Sequence, residues 1–147
     1  MTSAHRPWLT AGATCLLACS GWLGLDARGQ WWLRDEQAQA CGAFASGKPG
    51  SRGNLLQHDK LAEFIGRNYL VEADGRWYFQ NGPQRVYVEL ESAPWIWRLR
   101  YAGHGLQLHS HTGQEWAAEQ VQQALLDEQG RLFLALPQGL GMVHSLD

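Results

Sequence analysis

The 147-residue chain has few cysteines, few charges and no excess of charge of either sign. Its three cysteines are Cys15, Cys19 and Cys41, and their spacing is typical of neither a zinc motif nor a disulfide framework. Charged residues make up 18% of the chain and the formal net charge is -2, so the basic excess that a nucleic-acid-binding surface requires is missing. Nucleic acid is therefore not an expected partner.

The sequence also lacks the common signatures of catalysis. It has no Gly-x-Ser-x-Gly turn, no pair of carboxylates at a distinctive spacing and no Gly-rich phosphate loop that opens a helix. Ser110 lies between two histidines, but neighbouring residues of a strand face opposite sides and cannot form a nucleophile and its base. Nothing specific supports an enzyme, and we expect no cofactor.

What the chain has is apolar and aromatic residues in the proportion of a folded protein. Its hydrophobic fraction of 45% is ordinary for a globular domain, whereas eight tryptophans are many for this length. Trp77, Trp95 and Trp97 follow a strand period and are expected in the core. Trp31 and Trp32 are adjacent, so they face opposite sides of any strand they share and one of them should lie near the surface.

The N-terminus has the layout of an export signal. One arginine precedes an uncharged run from Trp8 to Leu25, and Leu16-Leu17-Ala18-Cys19 resembles the lipobox of bacterial lipoproteins. Cys19 would then be the lipidated first residue of an envelope-anchored protein, and this is the one way in which we expect a membrane to be a partner. The alternative is a cytoplasmic protein with a non-essential extension. On either interpretation we expect residues 1–21 to lie outside a single domain that spans residues 22–147.

A nine-residue motif occurs three times. It consists of an aliphatic residue, an acidic residue, two variable residues, glycine, a polar residue and three large apolar residues. The glycine favours a turn with positive φ and the apolar triplet favours a strand, so each copy predicts a turn that leads into a strand. The copies begin at Leu25, Val71 and Leu126, and their spacing leaves open whether they arose by duplication.

Periodicity predicts hairpins and one clear helix. A loop at Asn81–Gln84 would pair Tyr78 with Tyr87, Phe79 with Val86 and Trp77 with Val88, and the turn near Gly103 would pair Leu99 with Leu108 and Arg98 with His109. His58–Asn68 has helical spacing, a second short helix is expected near Trp116, and Gly42–Asn54 is expected to be an exposed loop. The predicted fold class is α+β, a single domain dominated by an antiparallel sheet or partly closed barrel of hairpins, with one or two short helices.

The stretch Gly75-Arg76-Trp77-Tyr78-Phe79-Gln80-Asn81-Gly82-Pro83-Gln84-Arg85-Val86-Tyr87-Val88, with Pro94-Trp95-Ile96-Trp97-Arg98 after it, resembles a family of small uncharacterised proteobacterial proteins grouped as a domain of unknown function. The resemblance extends from about Gly29 to the C-terminal segment Gly139-Leu140-Gly141-Met142-Val143-His144. It implies a bacterial origin and a shared fold, and it supplies no activity, cofactor or catalytic residue.

Two candidate sites follow from the strand pattern. An anion-binding face is predicted from guanidinium groups, which match carboxylate and phosphate oxygens, and comprises Arg85, Arg98, Arg100 and His109. A metal site is the competing prediction, because histidines two apart on a strand share one side, and comprises His104, His109 and His111. Arg98 beside His109 would repel a divalent cation, and no carboxylate near in sequence completes the shell.

The sequence thus favours a non-catalytic binding or accessory protein of unknown function. It would contact an unknown protein or small-molecule partner through one polar sheet face or through the Gly42–Asn54 loop. The alternative is a small enzyme or metal-dependent protein centred on His104, His109 and His111.

Overall fold

The computed structural model describes residues 18–103 and 105–146. These residues form two six-stranded mixed sheets with two short helices, which confirms the α+β class. The chain divides into two compact units. The first comprises the chain up to Asp26 and Trp31–Glu91, and the second comprises Ala27–Gln30 and the chain from Ser92.

The N-terminal sheet belongs to the first unit, and its strand order is β3-β2-β1-β6-β5-β4. β1 pairs with β6 in parallel, whereas the other neighbours are antiparallel. The strands are β1 (Ala18–Leu25), β2 (Trp31–Leu33), β3 (Asn54–Leu55), β4 (Tyr69–Val71), β5 (Trp77–Asn81) and β6 (Gln84–Leu90). Helix α1 (Glu36–Cys41) and a 3-10 turn (Phe44–Ser46) lie between β2 and β3, and helix α2 (Asp59–Arg67) lies between β3 and β4.

The C-terminal sheet belongs to the second unit, and its strand order is β10-β11-β12-β7-β8-β9. Here β7 and β12 are the parallel pair. The strands are β7 (Trp95–Ala102), β8 (Gly105–Ser110), β9 (Glu115–Ala117), β10 (Gln123–Leu126), β11 (Leu132–Leu136) and β12 (Gly139–Val143). Each sheet therefore consists of two three-stranded antiparallel meanders whose first and last strands meet in parallel at the centre, so the two sheets have the same topology.

Helix α2 forms where the sequence predicts it and closes the first core. The His58 side chain caps its N-terminus by accepting a hydrogen bond from the Leu61 N–H at 3.2 Å, and Asp59 and Arg67 complement the helix dipole at the two ends. Ile65 is fully buried, and the ring of Phe64 meets that of Phe79 edge-on with 5.6 Å between centroids. The core of this unit consists chiefly of Leu23, Leu25, Trp31, Phe44, Ile65, Phe79, Val86 and Val88.

The predicted strand registers are confirmed where the ladders test them. Tyr78 pairs with Tyr87 and Phe79 with Val86. The ladder continues to Asn81 opposite Gln84, so the predicted four-residue loop is wrong and the turn consists of Gly82 and Pro83. Trp77 pairs with Val71 of β4, and the β5–β6 ladder begins at Tyr78.

Across β7 and β8, the pairs Leu99 with Leu108 and Arg98 with His109 also occur as predicted. Side-chain alternation is a local property, so it fixes the partners once a hairpin loop is known.

The expected helix near Trp116 is wrong. That segment forms strand β9, a single 3-10 turn at Ala118–Gln120 and then strand β10. Trp116 pairs with Leu108 across the ladder, so strand pairing outweighs the helical propensity of the alanine-rich segment that follows. The sequence pattern also does not predict helix α1.

The three motif copies form the same structure, a hairpin turn between antiparallel strands. They join β1 to β2, β4 to β5 and β10 to β11, and Gly29, Gly75 and Gly130 have φ values of 82°, 92° and 79°. A fourth turn of this kind joins β8 to β9, where Gly113 has a φ of 90° and Ser110 takes the acidic position. The sequence motif missed this turn because the hydroxyl of Ser110, in place of a carboxylate, accepts the hydrogen bond from the Gln114 N–H.

Candidate functional site

The C-terminal sheet brings together three of the four predicted anion-binding residues. Arg98 and His109 are register partners on β7 and β8, and Arg100 lies two residues further along β7, opposite Gln107. Both arginines are exposed, and the His109 side chain is 25% exposed. We call Arg98, Arg100 and His109 the basic face.

One carboxylate lies near the basic face. Glu115 is the register partner of His109 on β9, and its Oε2 is 3.8 Å from His109 Nδ1. It is the single acidic residue on β7, β8 and β9. Arg100 has no ion pair within the part of the chain that the structure describes. The face thus carries more positive than negative side chains.

Arg85 lies on the other sheet and is engaged there. On β6 it forms an ion pair with Glu72, and its guanidinium lies over the ring of Tyr78 at 4.7 Å. Hydrogen bonds from Tyr87 and Arg85, with the nearby charge of Arg76, lower the pKa of the Glu72 carboxyl. Arg85 therefore belongs to a surface network of the N-terminal sheet and not to the basic face.

Of the predicted metal ligands, His109 lies in β8 and His111 lies just beyond its end. β8 ends at Ser110, so His111 is the first residue of the following turn. Its Nδ1 accepts a hydrogen bond from the Ile96 N–H at 3.3 Å, its ring lies edge-on to Trp95, and burial lowers its pKa to about 3.

His104 lies outside the described residues. Among the residues that the structure describes, no group of three His, Cys, Asp or Glu side chains could hold a metal ion. The three-histidine site stays a prediction.

Ser110 has a structural role in its turn. Its hydroxyl is 2.7 Å from the Thr112 hydroxyl and accepts a hydrogen bond from the Gln114 N–H at 3.1 Å. The residue is buried, with 6% of its surface exposed. These contacts stabilise the connection between β8 and β9.

Cys19, the predicted lipidation site, lies in β1 opposite Val86 of β6 and is partly exposed. β1 begins at Ala18, four residues before the expected domain start at Trp22. Lipidation of Cys19 stays a prediction. Within residues 18–103 and 105–146, no helix is long and apolar enough to span a bilayer.

A buried arginine that sequence reasoning missed fixes the Gly42–Asn54 loop. The Arg34 side chain is 2% exposed, and its guanidinium donates to the carbonyls of Ser51 at 2.8 Å and Gly42 at 2.6 Å. It also donates to the Gly21 carbonyl and to Glu89 Oε2, both at 3.0 Å. Arg34 thus connects both ends of the loop to β1 and β6. A single arginine after an apolar triplet gives no sequence signal for this role.

Arg52 and Trp32 hold the outer side of the same loop. The Arg52 guanidinium lies 5.5 Å from the ring centroids of Trp32 and Phe44 and 2.6 Å from Glu91 Oε2. Trp32 donates to the buried carboxylate of Asp26 at 2.9 Å. Trp32 is therefore the partly exposed member of the tryptophan pair, and Trp31 is the buried one.

The loop lines one side of a cavity of about 330 Å³ that is open to solvent. Its charged lining residues are both cations, Lys48 and Arg52. Lys48 has no ion pair to a described residue. The other lining residues are Trp32, Gly47, Gly50, Ser51 and Gly53. The spacing of Gly42, Gly47 and Lys48 matches the start of a phosphate-binding P-loop, but Pro49 follows Lys48 and the segment does not lead into a helix.

Two solved structures share this fold. A DUF1285 family protein from Shewanella baltica OS155 is 16% identical, with a TM-score of 0.53 and 85% of each chain covered. A DUF1285 family protein from Silicibacter pomeroyi DSS-3 is 13% identical, with a TM-score of 0.59, and the match covers 88% of this chain and 67% of that one. At these identities the similarity shows the fold alone.

No curated protein matches the sequence. A family profile does match, over residues 16–147, and its description is "Protein of unknown function (DUF2946)". With the two proteobacterial structures, this match confirms the resemblance to an uncharacterised bacterial family. The chain therefore belongs to the family described as "Protein of unknown function (DUF2946)".

Proposed function

We propose that this protein is a non-catalytic binding or accessory protein whose basic face contacts carboxylate groups on an acidic segment of a partner protein. The observation that carries the proposal is the register of the C-terminal sheet. It sets Arg98 beside His109 and leaves Arg100 exposed on the same side of the sheet without an ion pair among the described residues.

The exposure of both arginines on one strand favours a partner protein over a small ligand. Alternate residues of a strand lie about 7 Å apart, so the two guanidinium groups can contact two acidic side chains that are two residues apart in an extended segment. Small ligands are usually held in concave sites, whereas arginine is enriched in protein interfaces. An exposed, cationic strand surface fits the second case.

The test is the binding of a fluorescein-labelled hexaglutamate peptide, followed by fluorescence anisotropy. We expect the Arg98→Gln/Arg100→Gln double variant to bind at least about tenfold more weakly than the unmodified protein, because both charge-assisted contacts are lost. Binding by the unmodified protein should weaken as salt is raised. The control is Arg67→Gln, which removes an exposed arginine from α2 and should leave binding unchanged.

Equal peptide affinity for the double variant and the unmodified protein would overturn the proposal. Equal weakening by Arg67→Gln would do the same, because it would show a response to total charge and not to the basic face.

The loop cavity is a second location for binding, and the charge of its lining favours it. No carboxylate is among its lining residues, Arg52 already pairs with Glu91, and Lys48 has no ion pair to a described residue, so Lys48 is the cation that an anion would contact. A small phosphate or carboxylate ion fits this chemistry. Calorimetric titration with inorganic phosphate should detect weaker binding by Lys48→Gln than by Lys60→Gln, which removes an exposed lysine from α2.

The metal-dependent alternative has its own measurement. Elemental analysis of protein purified without a histidine tag would show stoichiometric metal if His104, His109 and His111 form a site. If the unmodified protein holds stoichiometric metal and His109→Ala does not, the binding proposal is wrong and a metal-dependent function takes its place.

A further inference from the structure

β10 is an open, apolar edge of the C-terminal sheet. It is the outermost strand, next to β11, and all four of its residues are exposed. Leu125 is 46% exposed and Leu126 is 71% exposed. Edge strands are usually protected by charge, proline, a bulge or a covering segment, because their free backbone groups can pair with another chain. The sequence Gln123-Ala124-Leu125-Leu126 contains neither charge nor proline.

The hydrogen-bond phase of the ladder shows which backbone groups face outward. The Asp127 N–H donates to the Arg131 carbonyl at 3.0 Å, which makes these two residues a hydrogen-bonded pair. Such pairs alternate with non-hydrogen-bonded pairs along antiparallel strands. Leu125 opposite Phe133 is then the next hydrogen-bonded pair. The N–H and C=O groups of Ala124 and Leu126 therefore point away from β11, and no bond from them to a described residue outside the strand ladder is seen.

We propose that a second copy of this chain pairs with this edge, β10 against β10 in antiparallel orientation, with Leu125 opposite Leu125 of the second copy. This register sets Ala124 opposite Leu126 of the other copy. The outward N–H and C=O groups of both residues then bond across the two-fold axis. The two copies use the same surface, as a two-fold symmetric interface requires.

Charge and polarity favour this register over the two registers that are shifted by one residue. Centred on Leu125, it places Asp127 of each copy opposite Gln123 of the other, so no two carboxylates meet and the leucines contact each other. A shift by one residue to Leu126 would place Leu125 opposite Asp127 and Ala124 opposite Glu128. A shift the other way would place Leu126 opposite Gln122. The sequence of β10 is thus complementary to itself in one register.

Site-specific disulfide formation tests both the pairing and its register. The three native cysteines are first replaced (Cys15→Ser, Cys19→Ser and Cys41→Ser). Leu125→Cys then places one thiol of each copy at a directly opposed, non-hydrogen-bonded position, where side chains lie closest. We expect mild oxidation to convert this variant mainly into a covalent dimer on a non-reducing gel. The matched control is Leu126→Cys, whose residue is more exposed yet lies opposite Ala124 in the proposed register, and it should stay mainly uncrosslinked.

Solution mass gives an independent measurement on the chain with its own cysteines. Sedimentation should give the unmodified protein the mass of a dimer. It should give Leu125→Glu the mass of a monomer, because two carboxylates would meet at the axis. Leu146→Glu changes a leucine that is 70% exposed outside the strand and should leave the dimer intact. A monomeric unmodified protein, or equal cross-linking at positions 125 and 126, would overturn the proposal.

Discussion

Gly141 sets the packing of the indole that fills the second core. Trp97 is fully buried on β7, and its Nε1 donates to the Leu134 carbonyl at 3.2 Å. Gly141 lies opposite Trp95 on the parallel neighbour β12. A Cβ at this position would overlap the indole nitrogen of Trp97. The absence of a side chain at position 141 lets the tryptophan lie across β12.

We expect Gly141→Ala to lower the free energy of unfolding by about 1 to 3 kcal/mol, since overpacking forces core side chains out of their rotamers. Gly105→Ala is the matched control, because its added Cβ would meet nothing within 4 Å. Urea denaturation followed by tryptophan fluorescence measures both variants. If Gly105→Ala proved the more destabilising, the packing explanation would be wrong.

His111 makes stability depend on pH. Burial lowers its pKa from 6.5 to about 3, so between these values the unfolded chain binds a proton that the folded chain does not. The contribution of uncharged His111 to the free energy of unfolding is fully present above pH 6.5. It is lost as the pH falls from 6.5 towards 3.

We expect unfolding free energy to fall by up to about 2 kcal/mol between pH 6.5 and 5. His111→Asn keeps an acceptor for the Ile96 N–H without a titrating group, and urea denaturation at the two pH values should show a smaller change for it. An unchanged pH dependence in His111→Asn would assign the effect to other groups.

Among the elements, the Gly42–Asn54 loop is ordered by one buried side chain and not by its own sequence. Its glycines and proline predict an exposed turn region, and they do not reveal that both ends bond to Arg34. Most of the guanidinium donors meet carbonyl oxygens, which a fork of five N–H groups satisfies and a lysine cannot.

We expect Arg34→Met to lower the free energy of unfolding by about 3 to 5 kcal/mol, because it leaves the Gly21 and Ser51 carbonyls and the partly buried Glu89 carboxylate without their partner. Arg67→Met, on the exposed side of α2, should have little effect. Equal stability of the two variants in urea would show that the loop is held by other contacts.

The four turns that share the glycine motif lead to a prediction about the acidic position of that motif, where one of them has serine. Asp127 accepts hydrogen bonds from the Arg131 and Gln129 backbone N–H groups, and the bond from Arg131 is the main reason that the Asp127 pKa is lowered. In the β8–β9 turn, a serine hydroxyl fills the same position. Asp127→Ser should therefore keep a higher urea midpoint than Asp127→Ala. Identical midpoints would mean that the turns are not equivalent.

At the scale of the whole molecule, the boundary of the folded chain can be tested with two truncations. The family match begins at residue 16 and β1 begins at Ala18. Removal of residues 1–21 would delete Ala18 and Cys19, which pair with Arg85 and Val86, and the Gly21 carbonyl that Arg34 contacts.

We expect the chain without residues 1–21 to melt at a lower temperature than the chain without residues 1–17. Thermal unfolding followed by circular dichroism measures the difference. Equal melting temperatures would support the boundary at Trp22 that the sequence predicts.

The sequence by itself determined the local structure: the turns at Gly29, Gly75 and Gly130, helix α2 and the hairpin registers that set Arg98 beside His109. These features follow from residues close in the chain, through glycine φ, capping and side-chain alternation. Tertiary structure decided the parallel pairs, β1 with β6 and β7 with β12, because strands far apart in sequence leave no mark on local periodicity. It also decided that Arg85 belongs to a different sheet from Arg98, that Trp116 lies in a strand and that Arg34 holds the loop. A side chain's partners across the fold depend on which strands meet, and that is settled only when the core packs.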